Sequence, residues 1–385
     1  MPADDASGTA PAPPTSQGAL RRSPLHDRHV AAGARLAAFG GWEMPLQYPG
    51  GVLEEHTAVR SSVGVFDVSH LGKVRVVGDG AAALVQATLT NDLGKITPGR
   101  AQYTLCCDDE TGGIVDDLIA YLSSDTELLL VPNAANSAEV VRRLQAAAPR
   151  SVEVRDEHAD HAVLAVQGPR SDEVLAAVGL PVGHDYLSFV VADHAGVPVT
   201  VCRTGYTGER GYELLVPDVG AGALWDALLA VRTSDGATPR PCGLGARDTL
   251  RTEMGYPLHG QDISLTTTPN EARLGWAVGW DKPAFWGRQV LLAQKQKGPR
   301  RLLRGLVATG KGIPRPGMRV MLLADVPLGV VTSGTFSPTL RTGVGLALVA
   351  AQVQEGQQVS VDVRGRREVF EVVRPPFLPP SVRSG

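Results

Sequence analysis

Two stretches of this sequence occur twice, and the duplication restricts the possible folds more than any other feature. The segment "VRVVGDGAAALVQATL" from Val74 is similar to "VLAVQGPRSDEVLAAVGL" from Val163. Likewise, "ELLLVPNAANSAEVVRRL" from Glu127 is similar to "ELLVPDVGAGALWDALL" from Glu213. In each pair an apolar strand, a turn and a segment with apolar residues at helical spacing follow in the same order. Two matches at similar offsets indicate an internal duplication.

Each copy has room for a hairpin between its two matched stretches. In the first copy "QYTLCC" and "IVDDLIAYL" flank the turn "DDETGG", and in the second "FVVAD" and "VPVTVC" flank "HAG". Short apolar runs separated by such turns are typical of β-hairpins. Each unit, about residues 65–150 and 151–235, is therefore predicted to run strand, helix, strand, strand, strand, helix. This order is α+β and differs from the strict alternation of a doubly wound sheet.

The remaining chain divides into a connecting segment, a small β domain and two tails. Residues 236–297 are mixed in pattern and contain a predicted helix at "ARDTLRTEM". From Leu302 the pattern changes to short strands split by Gly and Pro, which predicts a β-barrel domain over residues 298–378. The N-terminal residues are rich in Pro, Ala, Ser and Gly, so residues 1–22 are predicted to form a disordered tail, and residues 379–385 a second tail.

Charge and composition exclude several classes of partner. The 37 basic and 40 acidic residues leave a net charge of −3, without a basic block that would bind phosphate backbones or anionic lipid. No apolar stretch approaches the ~20 residues that span a bilayer, and the N-terminus lacks the apolar core of a secretory signal. Nucleic acid and membranes are therefore not expected as partners. The expected location is the cytoplasm, where the four cysteines would be reduced.

Several motifs resemble cofactor or metal sites without satisfying the chemistry of those sites. In "GLVATGKG" a glycine replaces the Ser or Thr of a phosphate-binding loop, and prolines follow it. The stretch "GYTGERG" lacks the spacing of a dinucleotide site and precedes a strand. The residues "HADH" at 158–161 have no third ligand nearby and are interpreted as a solvated loop. No metal site is therefore predicted.

Two adjacent aspartates stand inside an apolar run, in "GGIVDDLIA". Successive residues of a strand point to opposite faces, so Asp116 and Asp117 cannot lie on the same side of the sheet. At least one of the two carboxylates is therefore expected to face something other than bulk water. Periodicity alone does not say which one.

A series of motifs along the chain resembles one enzyme family. The motifs are, in order, "FGGWEMPLQY", "GVFDVSH", "TND", "GGIVDDLI", "VQGP", "RTGYTGERGYE", "PCGLGARDTLR", "HGQDI" and "TSGTFSPTL". Their order over residues 24–377 is similar to that of the T-protein of the glycine cleavage system, the tetrahydrofolate-dependent aminomethyltransferase.

The resemblance implies a fold and a reaction. The family fold is a three-domain, cloverleaf-like arrangement with folate at its centre. In the family reaction, the methylene carbon of the aminomethyl group on lipoylated H-protein passes to tetrahydrofolate, giving 5,10-methylenetetrahydrofolate, ammonia and dihydrolipoyl H-protein. The lipoylated H-protein is thus the expected protein partner. No metal, flavin or pyridoxal phosphate is expected, because the folate itself receives the carbon.

The resemblance also implies site residues. Asp117 matches the family's catalytic aspartate, and Asp116 would then face away from the folate. Glu213 matches a carboxylate that would accept two N–H bonds from the pterin, each worth roughly 1.5 to 3 kcal/mol. The remaining positions expected to bind folate supply flat rings, polar groups or an apolar contact, and they are Tyr103, Tyr121, Tyr206, Tyr256, Trp276, Asn133, Arg247 and Leu71.

Three other functions compete with this one. A folate-binding relative without transferase activity, of the tRNA-modification or iron–sulfur assembly type, carries a Lys-Gly-Cys-Tyr signature where this chain has "GYPLHGQDI". The folate half of a flavin-dependent dimethylglycine or sarcosine oxidase would need a large dinucleotide-binding portion, for which the chain has no fingerprint. A structural β-rich interaction protein would leave Asp117 and Glu213 without a role.

Overall fold

The computed structural model of the protein describes residues 19–324 and 326–383. Most of the segment predicted to be a disordered tail lies outside these ranges. Arg21–Arg22 form a short strand that pairs with Trp42 and Glu43, so the tail predicted for residues 1–22 extends too far into the folded chain. Within the described ranges, no helix is long and apolar enough to cross a membrane.

The described chain contains twenty strands and eight α-helices. The strands are β1 (Arg21–Arg22), β2 (Arg35–Phe39), β3 (Trp42–Gln47), β4 (Gly64–Asp67), β5 (Val74–Gly78), β6 (Arg100–Cys107), β7 (Ile114–Ser124), β8 (Glu127–Val131), β9 (Val152–Asp156), β10 (His161–Gln167), β11 (Phe189–His194), β12 (Val197–Cys202), β13 (Gly211–Pro217), β14 (Arg240–Cys242), β15 (Arg301–Ala308), β16 (Arg319–Met321), β17 (Pro327–Ser337), β18 (Thr342–Ala350), β19 (Gln358–Val363) and β20 (Arg366–Val373). The helices are α1 (His26–Ala31), α2 (Gly51–Ser61), α3 (Ala81–Thr88), α4 (Ser137–Ala147), α5 (Ser171–Ala177), α6 (Asp218–Ala230), α7 (Leu244–Met254) and α8 (Arg288–Lys297).

The duplication predicted from the sequence is confirmed in the two central sheets. The first unit runs β5, α3, β6, β7, β8, α4, and the second runs β10, α5, β11, β12, β13, α6. The strand order β6-β7-β8-β5 in one sheet corresponds to β11-β12-β13-β10 in the other. Both predicted hairpins are present, as β6–β7 and β11–β12. The α+β class and the order of elements along each unit, both predicted from periodicity and turn residues, are therefore confirmed.

Each unit's sheet contains the strand that leads into the other unit. Strand β4 precedes the first unit along the chain, yet it pairs with β10 of the second unit. Strand β9 precedes the second unit, yet it pairs with β5 of the first. Both pairings are antiparallel. The unit boundaries predicted near residues 65 and 151 thus follow the sequence repeat but not the sheets, because the two units exchange these strands.

Helix α4 illustrates how the sequence pattern positions an element against its sheet. Val140, Val141 and Leu144 lie on one side of the helix and are buried in the core of the first unit. On the other side, Arg143 donates a hydrogen bond to Glu139 Oε1 at 2.7 Å, one turn away. The helix is therefore fixed with its N-terminus at the end of β8, next to β7.

A glycine at the start of β7 allows a loop of the connecting segment to approach the sheet closely. A Cβ atom on Gly113 would lie 1.9 Å from the carbonyl oxygen of Leu265, so only glycine fits. The next residue, Ile114, donates its backbone N–H to Ser264 O and Thr267 O at 3.1 and 3.0 Å. This contact places the loop after α7 beside the aspartates of β7.

The C-terminal region forms the closed barrel that the sequence predicts, with strand order β15-β18-β17-β16-β19-β20. Helix α7, which contains the predicted helix "ARDTLRTEM", joins the barrel to the two units. Its Arg251 is 1% exposed and donates to Asp262 Oδ2 at 2.7 Å and to Ser333 Oγ at 2.8 Å in β17. A buried guanidinium with carboxylate partners is rigidly held, so the barrel has one fixed position on α7.

Glu253 on α7 is a second buried junction, and it makes stability depend on pH. Its carboxylate accepts hydrogen bonds from His56 Nε2 at 2.9 Å, Arg60 Nη2 at 2.6 Å and Ser337 Oγ at 2.5 Å. Burial opposes ionisation, but these partners outweigh it and lower the pKa of Glu253 to about 2. Because this pKa lies below that of an unfolded glutamate, the ionised side chain stabilises the fold at neutral pH.

We expect Glu253→Gln to lower the free energy of unfolding at pH 7 by about 2 to 3 kcal/mol. The wild-type advantage is present above pH 4.5, the ordinary pKa of glutamate, and is lost as the pH falls toward 2. Urea denaturation at a series of pH values measures both effects. Glu153→Gln, which changes an exposed partner of Arg155, is the control and should leave stability unchanged. Equal stability of Glu253→Gln and wild type at pH 7 would contradict this role.

Candidate functional site

Strand β7 gives its two aspartates very different surroundings. Asp116 is fully buried, whereas Asp117 is partly buried and pairs in register with Leu105 of β6. Because side chains alternate along a strand, Asp117 shares its face of β7 with Ile119 and Tyr121. This face looks toward the second unit, since Tyr121 contacts Thr204 there.

Asn133 lies between the two carboxylates. It follows the end of β8 and continues the register in which Ile119 of β7 pairs with Val131 of β8, so it stands opposite Asp117. Its Nδ2 donates to Asp116 Oδ1 at 2.8 Å and to Asp117 Oδ1 at 2.9 Å. Its backbone N–H donates to Asp116 Oδ2 at 2.9 Å, and Asn136 Nδ2 donates to Asp116 Oδ1 at 2.6 Å.

The two carboxylates titrate as an interacting pair. Burial raises the pKa of Asp117 above its ordinary value, and the Tyr103 hydroxyl, His259 and Asn133 oppose this rise. Burial and then the charge of Asp117 raise the pKa of Asp116, and the amides of Asn136 and Asn133 oppose it. A carboxylate of raised proton affinity in a partly open position can accept and return a proton.

Two stacked rings stand above Asp117. The hydroxyl of Tyr103 donates to Asp117 Oδ2 at 3.0 Å. The Tyr103 ring stacks on Trp276 with centroids 5.2 Å apart and planes inclined at 25°. Trp276 is 64% exposed, so it forms the outer layer of the stack. An exposed indole of this kind offers a flat apolar surface at the approach to the carboxylate.

On the second unit, Glu213 of β13 ends a chain of hydrogen bonds. Thr204 Oγ1 donates to Glu213 Oε2 at 2.6 Å, and the Thr204 hydroxyl lies 3.1 Å from the hydroxyl of Tyr121. Glu213 Oε1 lies 3.7 Å from Arg247 Nη2. One oxygen is thus fixed by a strong bond, while the other has only a loose ionic partner.

Arg247 has a hydrogen-bonding atom that no described residue satisfies. Its Nη1 is buried and lacks a hydrogen-bond partner, and its guanidinium lies 5.0 Å from the ring centroid of Tyr206. Burial lowers the pKa of Arg247, and Glu213 and Tyr206 oppose this change. Tyr206 in turn stacks on Tyr256, with centroids 5.7 Å apart. A buried, unpaired guanidinium nitrogen is costly, and this favours a ligand that accepts a bond there.

The two groups of residues face each other across the units. Burial, with a smaller contribution from the charge of Asp117, raises the pKa of Tyr206. Tyr103, whose pKa burial and Asp117 raise, is also influenced by Tyr206. The structure therefore brings together Asp117, Tyr103, Asn133 and Trp276 on one side, and Glu213, Arg247, Tyr206 and Tyr256 on the other.

Two predicted folate contacts are packed differently from the others. Tyr121 is 3% exposed, and it lines a cavity of about 310 Å³ together with Phe189 and Leu129, which no other predicted site residue lines. Leu71 is partly buried and packs against the apolar cluster that contains Tyr121. Tyr121 is therefore buried beside Thr204, and its role as a flat wall for the folate rings stays a prediction.

Several residues near the site were not assigned from the sequence. Thr204 orients Glu213, and His259 Nε2 donates a hydrogen bond to Ile114 O at 3.0 Å, close to Asp117. His70 is 3% exposed with its Nδ1 unpartnered, and burial and then the charge of Arg247 lower its pKa to about 3. Arg383 lies 5.8 Å from the ring centroid of Tyr186. Thr204, His259 and His70 could have been found from the sequence because they lie in the family motifs "RTGYTGERGYE", "HGQDI" and "GVFDVSH", respectively.

The residues of "HADH" differ from their predicted environment. His158 is buried and its Nε2 lies 2.9 Å from the carbonyl oxygen of His70, so this part of the segment is not a solvated loop. Across residues 19–324 and 326–383, no group of three or more His, Cys, Asp or Glu side chains could hold a metal ion.

Comparison with known families accounts for this arrangement. The family described as "GCVT N-terminal domain" matches residues 25–282, and the family described as "Glycine cleavage T-protein C-terminal barrel domain" matches residues 300–378. The chain belongs to the glycine cleavage T-protein family. Together the two matches extend over both units, the connecting segment up to residue 282 and the barrel.

Individual relatives agree with the family assignment. The aminomethyltransferase of Parafrankia sp. (strain EAN1pec) is 63% identical over 367 residues, which are 95% of this chain and 100% of the relative. That of Mycobacterium tuberculosis (strain H37Rv) is 59% identical over 366 residues, 94% of this chain and 98% of the relative. A crystal structure of the glycine cleavage system aminomethyltransferase T from Bartonella henselae has a TM-score of 0.88 and 34% identity, covering 94% of this chain and 99% of that one. These relatives favour the transferase over a non-transferring folate binder.

Proposed function

We propose that this protein transfers the methylene carbon of the aminomethyl group on lipoylated H-protein to tetrahydrofolate. The products would be 5,10-methylenetetrahydrofolate, ammonia and dihydrolipoyl H-protein. The observation that carries this proposal is the placement of two carboxylates on facing units. Asp117 is held by Tyr103 and Asn133 on one side, and Glu213 stands beside the unsatisfied Arg247 on the other.

Glu213 and Arg247 fit a folate head group. The free oxygen of Glu213 can accept the adjacent N–H groups of a pterin ring, a charge-assisted pattern that fixes orientation. Thr204 holds the other oxygen, so the carboxylate is oriented before the ligand arrives. Arg247 Nη1 can donate to a carbonyl or carboxylate of the ligand, which would remove its unsatisfied state. Tyr206 and Tyr256 would then supply ring surfaces beside it.

Tyr121 and Thr204 connect the strands that carry Asp117 and Glu213. Tyr121 shares a face of β7 with Asp117, and its hydroxyl lies 3.1 Å from that of Thr204, which donates to Glu213 Oε2 at 2.6 Å. We expect Asp117 to stand near the reacting nitrogens while Glu213 holds the far end of the pterin.

The charge of Asp117 suits the chemistry of the transfer. Tetrahydrofolate supplies two amine nitrogens that receive the carbon as the two protons they carry pass to the leaving amine and the lipoyl sulfur. Asp117 would stabilise the positive charge that develops on the transferred carbon and hold a proton at Oδ1 or Oδ2 during the exchange. Tyr103 and Asn133 keep this carboxylate in one orientation. The proposed route involves no metal, flavin or pyridoxal phosphate, since the carbon is transferred without oxidation.

The decisive assay uses aminomethyl-loaded H-protein as donor. On addition of tetrahydrofolate, we expect this protein to release ammonia and to form 5,10-methylenetetrahydrofolate in equal amounts. Omission of tetrahydrofolate is the control and should abolish rapid product formation. Saturable binding of tetrahydrofolate without ammonia release from the loaded carrier would contradict the transferase function.

The exposed Trp276 provides a test of the site's entrance. Because stacked aromatic pairs contribute about 0.5 to 1.5 kcal/mol, we expect Trp276→Ala to raise KM for tetrahydrofolate roughly 3- to 10-fold with little change in kcat. Trp276→Phe keeps a flat ring over Tyr103 and should stay near wild type. Steady-state kinetics at saturating loaded H-protein make the comparison. An unchanged KM in Trp276→Ala would remove this ring from the binding surface.

A further inference from the structure

The aspartate that faces away from the proposed folate site is surrounded by donors alone. Asp116 accepts bonds from Asn133 N, Asn133 Nδ2 and Asn136 Nδ2, and no acceptor is among its hydrogen-bond partners in the described chain. A protonated carboxyl would need an acceptor for its own hydrogen, whereas an ionised one is satisfied by donors. These donors favour the carboxylate form, in opposition to the burial and the charge of Asp117, which raise the pKa of Asp116.

The N-terminus of α4 adds to this preference. Asn136 is the residue immediately before the helix, which begins at Ser137 and has eleven residues. Unpaired N–H groups and the helix dipole make the first turn electropositive, and this stabilises a nearby anion. An ionised Asp116 would thus be stabilised by the helix end that it contacts through Asn136, and the apolar side of this helix is fixed in the core.

The side-chain amide of Asn133 connects Asp116 to Asp117. Asn133 Nδ2 lies within hydrogen-bond distance of Asp116 Oδ1 and Asp117 Oδ1. Two carboxylates that share one donor are close enough for each to disfavour ionisation of the other. The same amide also contacts the backbone oxygen of Asp117 at 3.0 Å, so orientation and charge are coupled.

We propose that Asp116 is a positioning residue for the transfer reaction: clamped by Asn133 and Asn136, its buried charge orients Asp117 and makes it a stronger proton acceptor. This inference rests on the proposed function, because it concerns the proton that Asp117 handles. The other titratable groups that face Asp117 are Tyr103, Tyr206 and His259. In contrast to these three groups, Asp116 is a carboxylate, and its side chain is fully buried.

The test is the pH dependence of kcat in variants that leave Asp117 in place. If Asp117 must be ionised, activity falls on the acid side as it takes up a proton. Loss of the neighbouring charge in Asp116→Asn makes Asp117 easier to ionise, so the acid limb of the profile should move to lower pH. A weaker base is also less effective, and kcat at neutral pH should fall roughly 3- to 10-fold. The affinity for tetrahydrofolate, measured by calorimetry, should stay within about twofold of wild type.

Asn136→Ala keeps the inference testable if Asp116→Asn does not fold. The side chain of Asn136 donates to Asp116 Oδ1 at 2.6 Å, so its removal weakens the clamp and lets Asp116 take the first proton. The acid limb should again move to lower pH. Gln145→Ala removes a comparable amide contact at the other end of α4, to Val154 O, and should leave the profile unmoved.

The outcomes separate this inference from the proposed function. A wild-type protein that releases no ammonia from loaded H-protein would overturn both. If the wild type is active and both Asp116→Asn and Asn136→Ala have the same pH profile of kcat as the wild type, the inference alone is overturned. A fall in tetrahydrofolate affinity that matches the fall in kcat would also overturn it, because a merely structural role would collapse the whole site.

Discussion

Replacing Asp117 by asparagine is expected to lower kcat for aminomethyl transfer by roughly 10²- to 10⁴-fold, the range in which a positioned acid–base group contributes. Asparagine keeps the size of the side chain and can still bond Tyr103, so the ring stack should remain in place. It cannot carry the negative charge that stabilises the transferred carbon, nor accept a proton at neutral pH. The affinity for tetrahydrofolate should therefore change little.

Ammonia release from loaded H-protein measures the loss, and calorimetry with tetrahydrofolate measures binding separately. Asp125→Asn is the matched control, because Asp125 is exposed in the turn after β7, whereas Asp117 lies near the other end of that strand. It should keep wild-type turnover. Near wild-type transfer by Asp117→Asn would exclude this carboxylate from the chemistry.

The second large effect concerns binding. We expect Glu213→Ala to weaken tetrahydrofolate affinity roughly 10²-fold, because two charge-assisted bonds to the pterin would be lost together. Arg247 would also lose its ion pair with Glu213, which leaves a buried guanidinium less well compensated. Calorimetric titration gives Kd directly, and kcat at saturating tetrahydrofolate should fall much less than the affinity.

A second glutamate at the start of a matched stretch supplies the control for this variant. Glu127 begins "ELLLV" in the first unit, as Glu213 begins "ELLV" in the second, but the sheet registers do not superpose the two residues. Its side chain is 42% exposed and its carboxylate lies 2.7 Å from Arg75 Nη1. Glu127→Ala should therefore leave Kd unchanged. Equal affinities of Glu213→Ala and Glu127→Ala for tetrahydrofolate would remove Glu213 from the pterin site.

Local pattern was sufficient for the elements but not for all of their pairings. The hairpin β6–β7 was predictable because its apolar strands flank "DDETGG", and α7 because "ARDTLRTEM" has helical spacing. The placement of β4 and β9 was not predictable from the repeat. Strand β4 pairs with β10 of the second unit, and β9 pairs with β5 of the first. Periodicity indicates which face of a strand is apolar but not which strand lies beside it.

The site shows the same division. Alternation along β7 predicted that the adjacent aspartates differ in environment, and the family motif indicated Asp117 as the catalytic one. The clamp on Asp116 depends on Asn133 and Asn136, which reach β7 only because β8 lies beside it and α4 begins there. Tyr121 was expected to face the folate, yet a residue on the correct face can still lie beneath the surface, as its 3% exposure shows.

The reciprocal placement of β4 and β9 determines how this protein can come apart. A chain cut between its repeated halves would leave each fragment holding a strand that completes the other fragment's sheet. Neither half would be a self-sufficient folding unit, since each would present an unpaired sheet edge to water. Co-expressed halves should instead reassociate through β4 and β9. Partial unfolding of one half would remove a strand from the sheet of the other half. Asp117 and Glu213, which lie on different units, should therefore become ordered together when the two units fold as one cooperative structure.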